Sequence, residues 1–349
     1  MSTQATAPSP TAGGTSVDAE PSLGRRALRT LVAAPEAGVI TACVAVFIIF
    51  ALWSPHHTFA SQANLQGIGL DLAQVGVLAV GEALVILTGG VDLSVGALAG
   101  LAAIIVAWLN VNAKLPALVA ILLTLIGTTL VGLWHGFTVT KLKVPPFVIT
   151  LVTYTTAIGL ALAITTGTPI TNVSTLFNNI SVAHFVGSQM LTAPFLVFVI
   201  VVLALWFFLE RTYVGRQIYA SGGNAEAARL AGIPVARRVT TVYMISGLLA
   251  GVVGVLVVGR MNVADPSVAS TGWELQAIAA AVIGGVSMFG GEGRMIGIAA
   301  GALLLEFITN GLASVNFNVY SRNVIIGLVL GLAVLADRLR ARYFGRGNR

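Results

Sequence analysis

The chain has 349 residues, of which 56% are hydrophobic and only 9% charged, and its mean hydropathy is +0.92. Soluble domains carry about 25% charged residues, so the composition excludes a water-soluble globular protein and leaves a polytopic membrane protein. The formal charge of +6 does not point to nucleic acid, because the basic residues gather at the ends of apolar segments. The single cysteine, Cys43, lies inside such a segment, which rules out a disulfide or a thiolate metal site within one chain.

In chain order, residues 1–23 are rich in Ser, Thr, Ala, Gly and Pro and hold too little apolar surface to fold. They lack the basic start and immediate apolar core of a cleavable signal. With the basic collar Arg25, Arg26 and Arg29, residues 1–30 form a disordered tail. A membrane domain, 31–337, follows, and residues 338–349 make a basic C-terminal tail. Apolar runs of roughly 17–25 residues can cross a bilayer as helices, and the sequence predicts about ten. The first five are 37–53, 72–88, 94–111, 116–139 and 146–165, and the second five are 191–209, 240–258, 275–288, 295–312 and 320–336. Residues 88–96, with Gly89, Gly90, Asp92, Ser94 and Gly96, read as a broken helix or re-entrant turn. The eighth run is short and ends in a glycine-dense stretch, 284–291.

Ten spans put both termini on one side. With the ends in the cytoplasm, 16 Lys and Arg residues fall inside and 3 (Lys114, Arg260 and Arg322) outside, which the positive-inside rule decides strongly for this orientation. The outer loops are polar and nearly uncharged; the largest, 166–190, suits docking.

The longest hydrophilic interval, 210–239, carries five arginines and lies on the inner side. Asn224 is a good N-cap, the residues from Ala225 to Ala231 are mostly helix formers, and Gly232 with Pro234 is a stop signal. A plain connector needs no such punctuation. A short, capped helix at the membrane surface suits an element on which another protein pushes, and Glu226 and Arg229, three apart, are spaced to pair. The plain alternative is a surface helix whose charges only keep the loop solvated.

A phosphate-cradling loop needs a Gly-Lys pair, and none of Lys114, Lys141 and Lys143 follows a glycine. The chain is therefore expected to be no enzyme and to have no ATPase site, cofactor or metal. His56, His57, His135 and His184 are scattered without ligand spacing, and loop or packing roles fit them better. Glu82, Asp92 and Glu306 stand at membrane depth, where a carboxyl is costly unless it faces a partner or a cavity. Asp92 reads first as an N-cap of the third span; for Glu82 and Glu306 helix contact and pathway roles both stay open. Gly96 with Gly100 and Gly297 with Gly301 form G-x-x-x-G pairs, a signal for close helix packing, and each follows a Gly-Gly-Val that hints at duplication.

Three stretches together resemble the permease subunits of bacterial ATP-binding-cassette importers for monosaccharides, the ribose, xylose and galactose type. The first runs from Val85 to Gly96; the second comprises Gly222, Gly223, Asn224 and 226–233, then Tyr243 and 246–250; the third comprises 277–280, Gly284, Gly285 and 289–293, then Gly297, Gly301 and 310–312. The likeness extends in order from about 64 to 336. It implies a homodimer of permeases in the plasma (inner) membrane, cytoplasmic ATPase subunits, an external sugar-binding protein, contact with lipid, and no nucleic acid. It also implies that the capped helix is the ATPase-coupling element, with Gly222, Gly223, Asn224, Glu226, Arg229 and Gly232 as its coupling residues. Gly89, Gly90, Asp92, Ser94 and Asn310 fall in the matching segments and are candidates for the translocation pathway. Glu82, where the family more usually has an uncharged residue, joins them by its depth alone. The alternative is a cation-coupled sugar carrier, which would use Glu82 and Glu306 as ion sites. The substrate stays open among pentose, hexose, polyol and, more distantly, nucleoside or branched amino acid.

Overall fold

A computed structural model of the chain describes residues 36–182 and 192–318, with a few positions between 324 and 335. Among them the protein is helical throughout, in the order α1 Ala37–Trp53, α2 Gln62–Leu87, α3 Val95–Val111, α4 Ala117–Thr140, α5 Pro146–Thr165 and α6 Thr175–Val182. Then come α7 Ala193–Arg211, α8 Tyr213–Gly223, α9 Ala225–Leu230, α10 Val235–Met261, α11 Trp273–Ile283 and α12 Met295–Ser314. Two 3-10 turns, Pro55–Ala60 and Pro266–Ser270, lie between α1 and α2 and between α10 and α11.

Six helices (α2, α4, α5, α7, α10 and α12) are long and apolar enough to cross a membrane, and α1, α3 and α11 are shorter apolar helices. The most apolar windows of α2 and α10 are 89% and 78% buried, against 28%, 17% and 17% for α4, α5 and α7. The first two are therefore the protein-enclosed axis, and the other three leave most of their apolar surface on the outside of the bundle. Small residues let α10 lie close against its neighbours: a Cβ on Gly247 would overlap the Thr128 carbonyl of α4, and one on Gly132 would overlap the backbone at Tyr243.

Both G-x-x-x-G pairs serve the same element. Gly96 and Gly100 of α3 approach Glu274 and Ala269, at and just before α11, while Gly297 and Gly301 of α12 approach Gly284 and Ala280 at its other end. The helix between them differs from expectation. The apolar run 275–288 suggested a span, but α11 has 11 residues and ends at Ile283. At 1.5 Å per residue it reaches about 16 Å, near half of the bilayer core. Gly285, Gly290, Gly291 and Gly293 all have positive φ, a backbone that no helix can contain, so 284–294 fold as an irregular re-entrant turn.

Other boundaries shift for local reasons. The second span begins at Gln62, ten residues earlier than its apolar run, because the Ser61 hydroxyl caps it by accepting the Asn64 N–H. The third has its N-cap at Ser94, and Asp92 lies outside the helix. The interval 210–239 holds a second helix, α8, opened by the Thr212 hydroxyl accepting the Gly215 N–H at 3.1 Å. The terminal tails and most of the tenth expected span, 320–336, lie outside the described residues, as do 183–191 of the large loop.

Candidate coupling site and polar interior

The capped helix is present with its punctuation intact. The Asn224 side chain accepts the Ala227 N–H at 2.9 Å, which satisfies one of the free donors at the start of α9. At the other end Ile233 N–H reaches Ala228 O and Gly232 N–H reaches Arg229 O, both at 3.0 Å, with Gly232 at φ +81°. This is a complete Schellman motif with glycine in the left-handed position. Arg229 holds Glu226 through both carboxylate oxygens, at 2.6 and 2.9 Å, on an open surface. Leu230 beside them is 80% exposed, an apolar side chain offered outward at the tip of a polar loop.

Helix α8 connects α9 to the membrane bundle. Ile218 is fully buried, and Tyr219 donates its hydroxyl to Gly293 O at 2.8 Å. Burial pushes the Tyr219 phenol up to about 12, Glu210 adding to the rise and Arg294 opposing it, so the hydroxyl keeps its proton and remains a donor. Gly222 and Gly223 end this helix at a junction of three chain segments. A side chain on Gly222 would strike the Leu87 carbonyl at the end of α2, and one on Gly291 would meet Gly223 backbone. The Gly291 N–H donates to Leu87 O at 2.9 Å. Beside the junction a cavity of about 620 Å³ opens between Glu36, Glu210, Arg216 and Arg294.

Past Leu87 the chain turns at Gly89, φ +79°, and enters a buried polar cluster. Glu82 is fully buried on α2 and accepts the Asp92 N–H at 3.0 Å. Asp92 Oδ1 accepts from Ser94 twice, from its N–H at 2.9 Å and its hydroxyl at 2.6 Å. The other Asp92 oxygen lies 3.5 Å from the Ser246 hydroxyl of α10 and 3.8 Å from His135 Nδ1 of α4. His135 Nε2 meets the Thr153 hydroxyl of α5 at 2.7 Å, and its ring stands edge-on to Tyr243 at 5.9 Å. Glu82 Oε2, His135 Nδ1 and Tyr243 Oη are buried without hydrogen-bond partners. Gly90 is needed for space: a Cβ there would come to 2.6 Å from the Tyr243 hydroxyl.

The expected pathway residues thus divide. Glu82, Gly90, Asp92 and Ser94 come together in one buried cluster, and Gly89 is the exposed turn that leads into it. Asn310 does not: it lies fifteen residues beyond the start of α12, about 22 Å along the helix, where it accepts a 2.8 Å bond from Asn64. Glu306 is buried on the same helix.

A family model described as "Branched-chain amino acid transport system / permease component" matches residues 65–334. The chain belongs to this permease family. Among its relatives, the ribose import permease protein RbsC of Bacillus subtilis (strain 168) is 38% identical over 296 residues, covering 84% of this chain and 90% of that one. RbsC of Escherichia coli (strain K12) is 37% identical over 318 residues, covering 90% and 97%, and the xylose transport system permease protein XylH of the same strain is 30% identical over 362 residues, covering 87% and 92%. No solved structure matches the chain.

The resemblance read from the sequence is therefore borne out, and the permease is a multi-pass protein of the bacterial plasma (inner) membrane. Its three signature segments, far apart in sequence, are the three that meet where Leu87, Gly222 and Gly291 touch. Sequence reasoning missed two parts of this arrangement. Helix α8 was legible in the apolar spacing Val214–Ile218 behind Thr212, but the arginine content of the interval masked it. His135 was assigned to packing, although an imidazole inside an apolar run meets the same test of depth as Glu82.

Proposed function

We propose that the chain is the translocation subunit of an ATP-binding-cassette importer for a monosaccharide, working as a homodimer with cytoplasmic ATPase subunits and an external sugar-binding protein. Ribose, D-allose and xylose are among the sugars named in its relatives, pentoses and a hexose alike, and a monosaccharide of that size is the substrate this favours. The end of the bundle that carries α8, α9 and the glycine junction faces the cytoplasm, and so do both termini, as the 16-to-3 distribution of basic residues supports.

The observation that carries the mechanism is the short path from α9 to the span break. Helix α9 is rigid by its two caps, α8 precedes it with only Asn224 between them, and α8 ends against the Leu87 carbonyl and Gly291. A displacement imposed on α9 by closing ATPases reaches the end of α2 through backbone contacts, with no long side chain to absorb it. Beyond that end stand Gly89, Gly90, Asp92 and Ser94, bound to Glu82 and approached by α4 and α10. Glu82 Oε2, His135 Nδ1 and Tyr243 Oη in this cluster lack hydrogen-bond partners, and buried polar atoms of this kind are costly, which makes the break a point where a small displacement matters.

The test is reconstitution of the permease with its ATPase and binding protein in vesicles. Uptake of labelled ribose or xylose should require ATP inside the compartment that holds the ATPase and persist with ion gradients collapsed. Uptake that follows an ion gradient without ATP would establish the cation-coupled alternative instead.

A further inference from the structure

A cavity of about 990 Å³ lies between the C-terminal end of α4, the turn after it, α9 and the first turns of α10. Its two walls differ in chemistry. One is the outer face of α4, where Leu133 and Phe137 are exposed and Trp134 stacks on Phe137 at 6.0 Å between ring centroids. The apolar face continues along α4 through the exposed Leu130 and Ile126, on a helix whose window is only 28% buried. The other wall is basic, with Lys141, Lys143, Arg229, Arg237 and Arg238 against a single carboxylate, Glu226.

Two of these cations are engaged. Arg229 holds Glu226, and Arg238 donates to Gln217 at 2.7 Å while lying over the Tyr213 ring. Lys141, Lys143 and Arg237 pair with no carboxylate among the described residues. Lys143 also holds φ +58°, an uncommon backbone for a side-chain-bearing residue, which fixes the turn that carries both lysines.

We propose that this cavity is a binding site for an anionic phospholipid of the inner leaflet. The phosphate lies among Lys141, Lys143 and Arg237, and an acyl chain lies along Leu133 and Phe137. Unpaired cations at the level of the headgroups, directly below a lipid-facing apolar groove, match both halves of such a molecule and neither half alone. A soluble protein partner would match the cations but not the apolar wall, which belongs to a helix long and apolar enough to cross a membrane. The site depends on the orientation proposed above, with the basic end inside. It would make the setting of α9, whose Glu226 and Arg229 border the cavity, responsive to the charge of the leaflet.

The test uses the purified full-length permease alone, so it does not depend on ATP, partners or sugar. Short-chain phosphatidylglycerol and phosphatidylcholine of equal chain length are titrated and followed by native mass spectrometry. Phosphatidylglycerol should bind at one site per chain at least about tenfold more tightly, since each headgroup-level cation contributes on the order of a further fivefold. The triple variant Lys141→Gln/Lys143→Gln/Arg237→Gln, with unchanged melting, should lose the preference, while Arg216→Gln, in the other cavity, should keep it. Equal binding of the two lipids, an unchanged preference in the triple variant, or full displacement by glycerol phosphate would overturn the proposal. A failure of ATP-driven uptake with the lipid preference intact would count against the transport reading alone.

Discussion

Two acid–base pairs lie within the same permease, and they are opposites. Asp92 and His135 face each other across 3.8 Å with side chains 2% and 1% exposed, whereas Glu226 and Arg229 touch at 2.6 Å with side chains 65% and 71% exposed. The interior pair is the looser in geometry but the costlier to disturb, because each buried polar atom it frees has no water to turn to. The surface pair has the better geometry and little thermodynamic weight, since exposed pairs contribute only a few tenths of a kcal/mol. Interior polar groups here brace the fold; the exterior pair holds two charges in a set geometry at the surface. The two regions meet at the Gly222 junction, and substitutions can be ordered by how directly they strike it.

The largest effect is expected at the junction itself. Gly222→Val would drive a branched side chain into the Leu87 carbonyl and the Gly291 amide, which are backbone atoms that cannot rotate away. Overpacking of this kind costs about 1–3 kcal/mol or more, and it separates α8 from α2. Purified Gly222→Val should melt well below the parent, and reconstituted complexes should hydrolyse ATP without moving sugar. Next comes Asp92→Ala, which strands the Ser94 N–H and hydroxyl while the backbone bond from residue 92 to Glu82 remains. Two orphaned buried donors cost about 2–4 kcal/mol together, so thermal unfolding in detergent should fall by several degrees. Asp92→Asn, which keeps an acceptor, should recover most of that loss. If Asp92→Ala melts like the parent, the buried cluster does not brace the span break.

Gly232→Val is milder because it strains the backbone without meeting any neighbour: nothing lies within 4 Å of a Cβ built there. At φ +81° a β-branched residue costs about 1–2 kcal/mol, and that cost falls on α9 alone. Global melting should stay within a few degrees of the parent, while the midpoint for ATPase binding rises about tenfold. A drop in melting as large as that of Gly222→Val would mean that α9 is part of the bundle and not an appended lever.

What could be read from the sequence follows from which forces are local. The caps of α9 act within eight residues, so Asn224, Gly232 and the Glu226–Arg229 spacing could be located without a fold. Apolar length marked the spans, and the small-residue pairs marked close packing. Long-range placement was hidden. That Gly222 abuts Leu87, that His135 reaches Asp92, and that Asn310 stands at the far end beside Asn64 depend on how helices distant in sequence are arranged. The half-length of α11 was only partly legible: residues 275–288 are mostly apolar and their glycine-dense end was visible, but hydropathy does not register the left-handed backbone of Gly285, Gly290, Gly291 and Gly293 that follows the end of the helix at Ile283. Asp92, read as the N-cap of the third span, is not the cap: Ser94 holds that position, and Asp92, two residues earlier, accepts the Ser94 N–H and hydroxyl.

The smallest effect on stability should accompany a large effect on partner binding. Glu226→Lys removes an exposed i,i+3 pair worth about 0.2–0.5 kcal/mol and sets two cations side by side, so melting should change by no more than a degree or two. It also puts a positive charge in the first turn of α9, where the helix dipole prefers a negative one, adding a few tenths of a kcal/mol at most. An element whose charges serve only solubility would tolerate this. An element docked in an ATPase groove would not, because reversing a charge at a desolvated contact costs several kcal/mol and acts on specificity. Pull-down with the ATPase should therefore fall at least about tenfold, and substrate-stimulated ATP hydrolysis should fall with it, while insertion and melting stay at parental levels. The reciprocal swap, Glu226→Arg with Arg229→Glu, restores the pair but reverses its direction. It should recover melting and still fail to bind. Parental ATPase binding in both variants would show that α9 is a solvated tether and that the junction at Gly222 receives its signal from elsewhere.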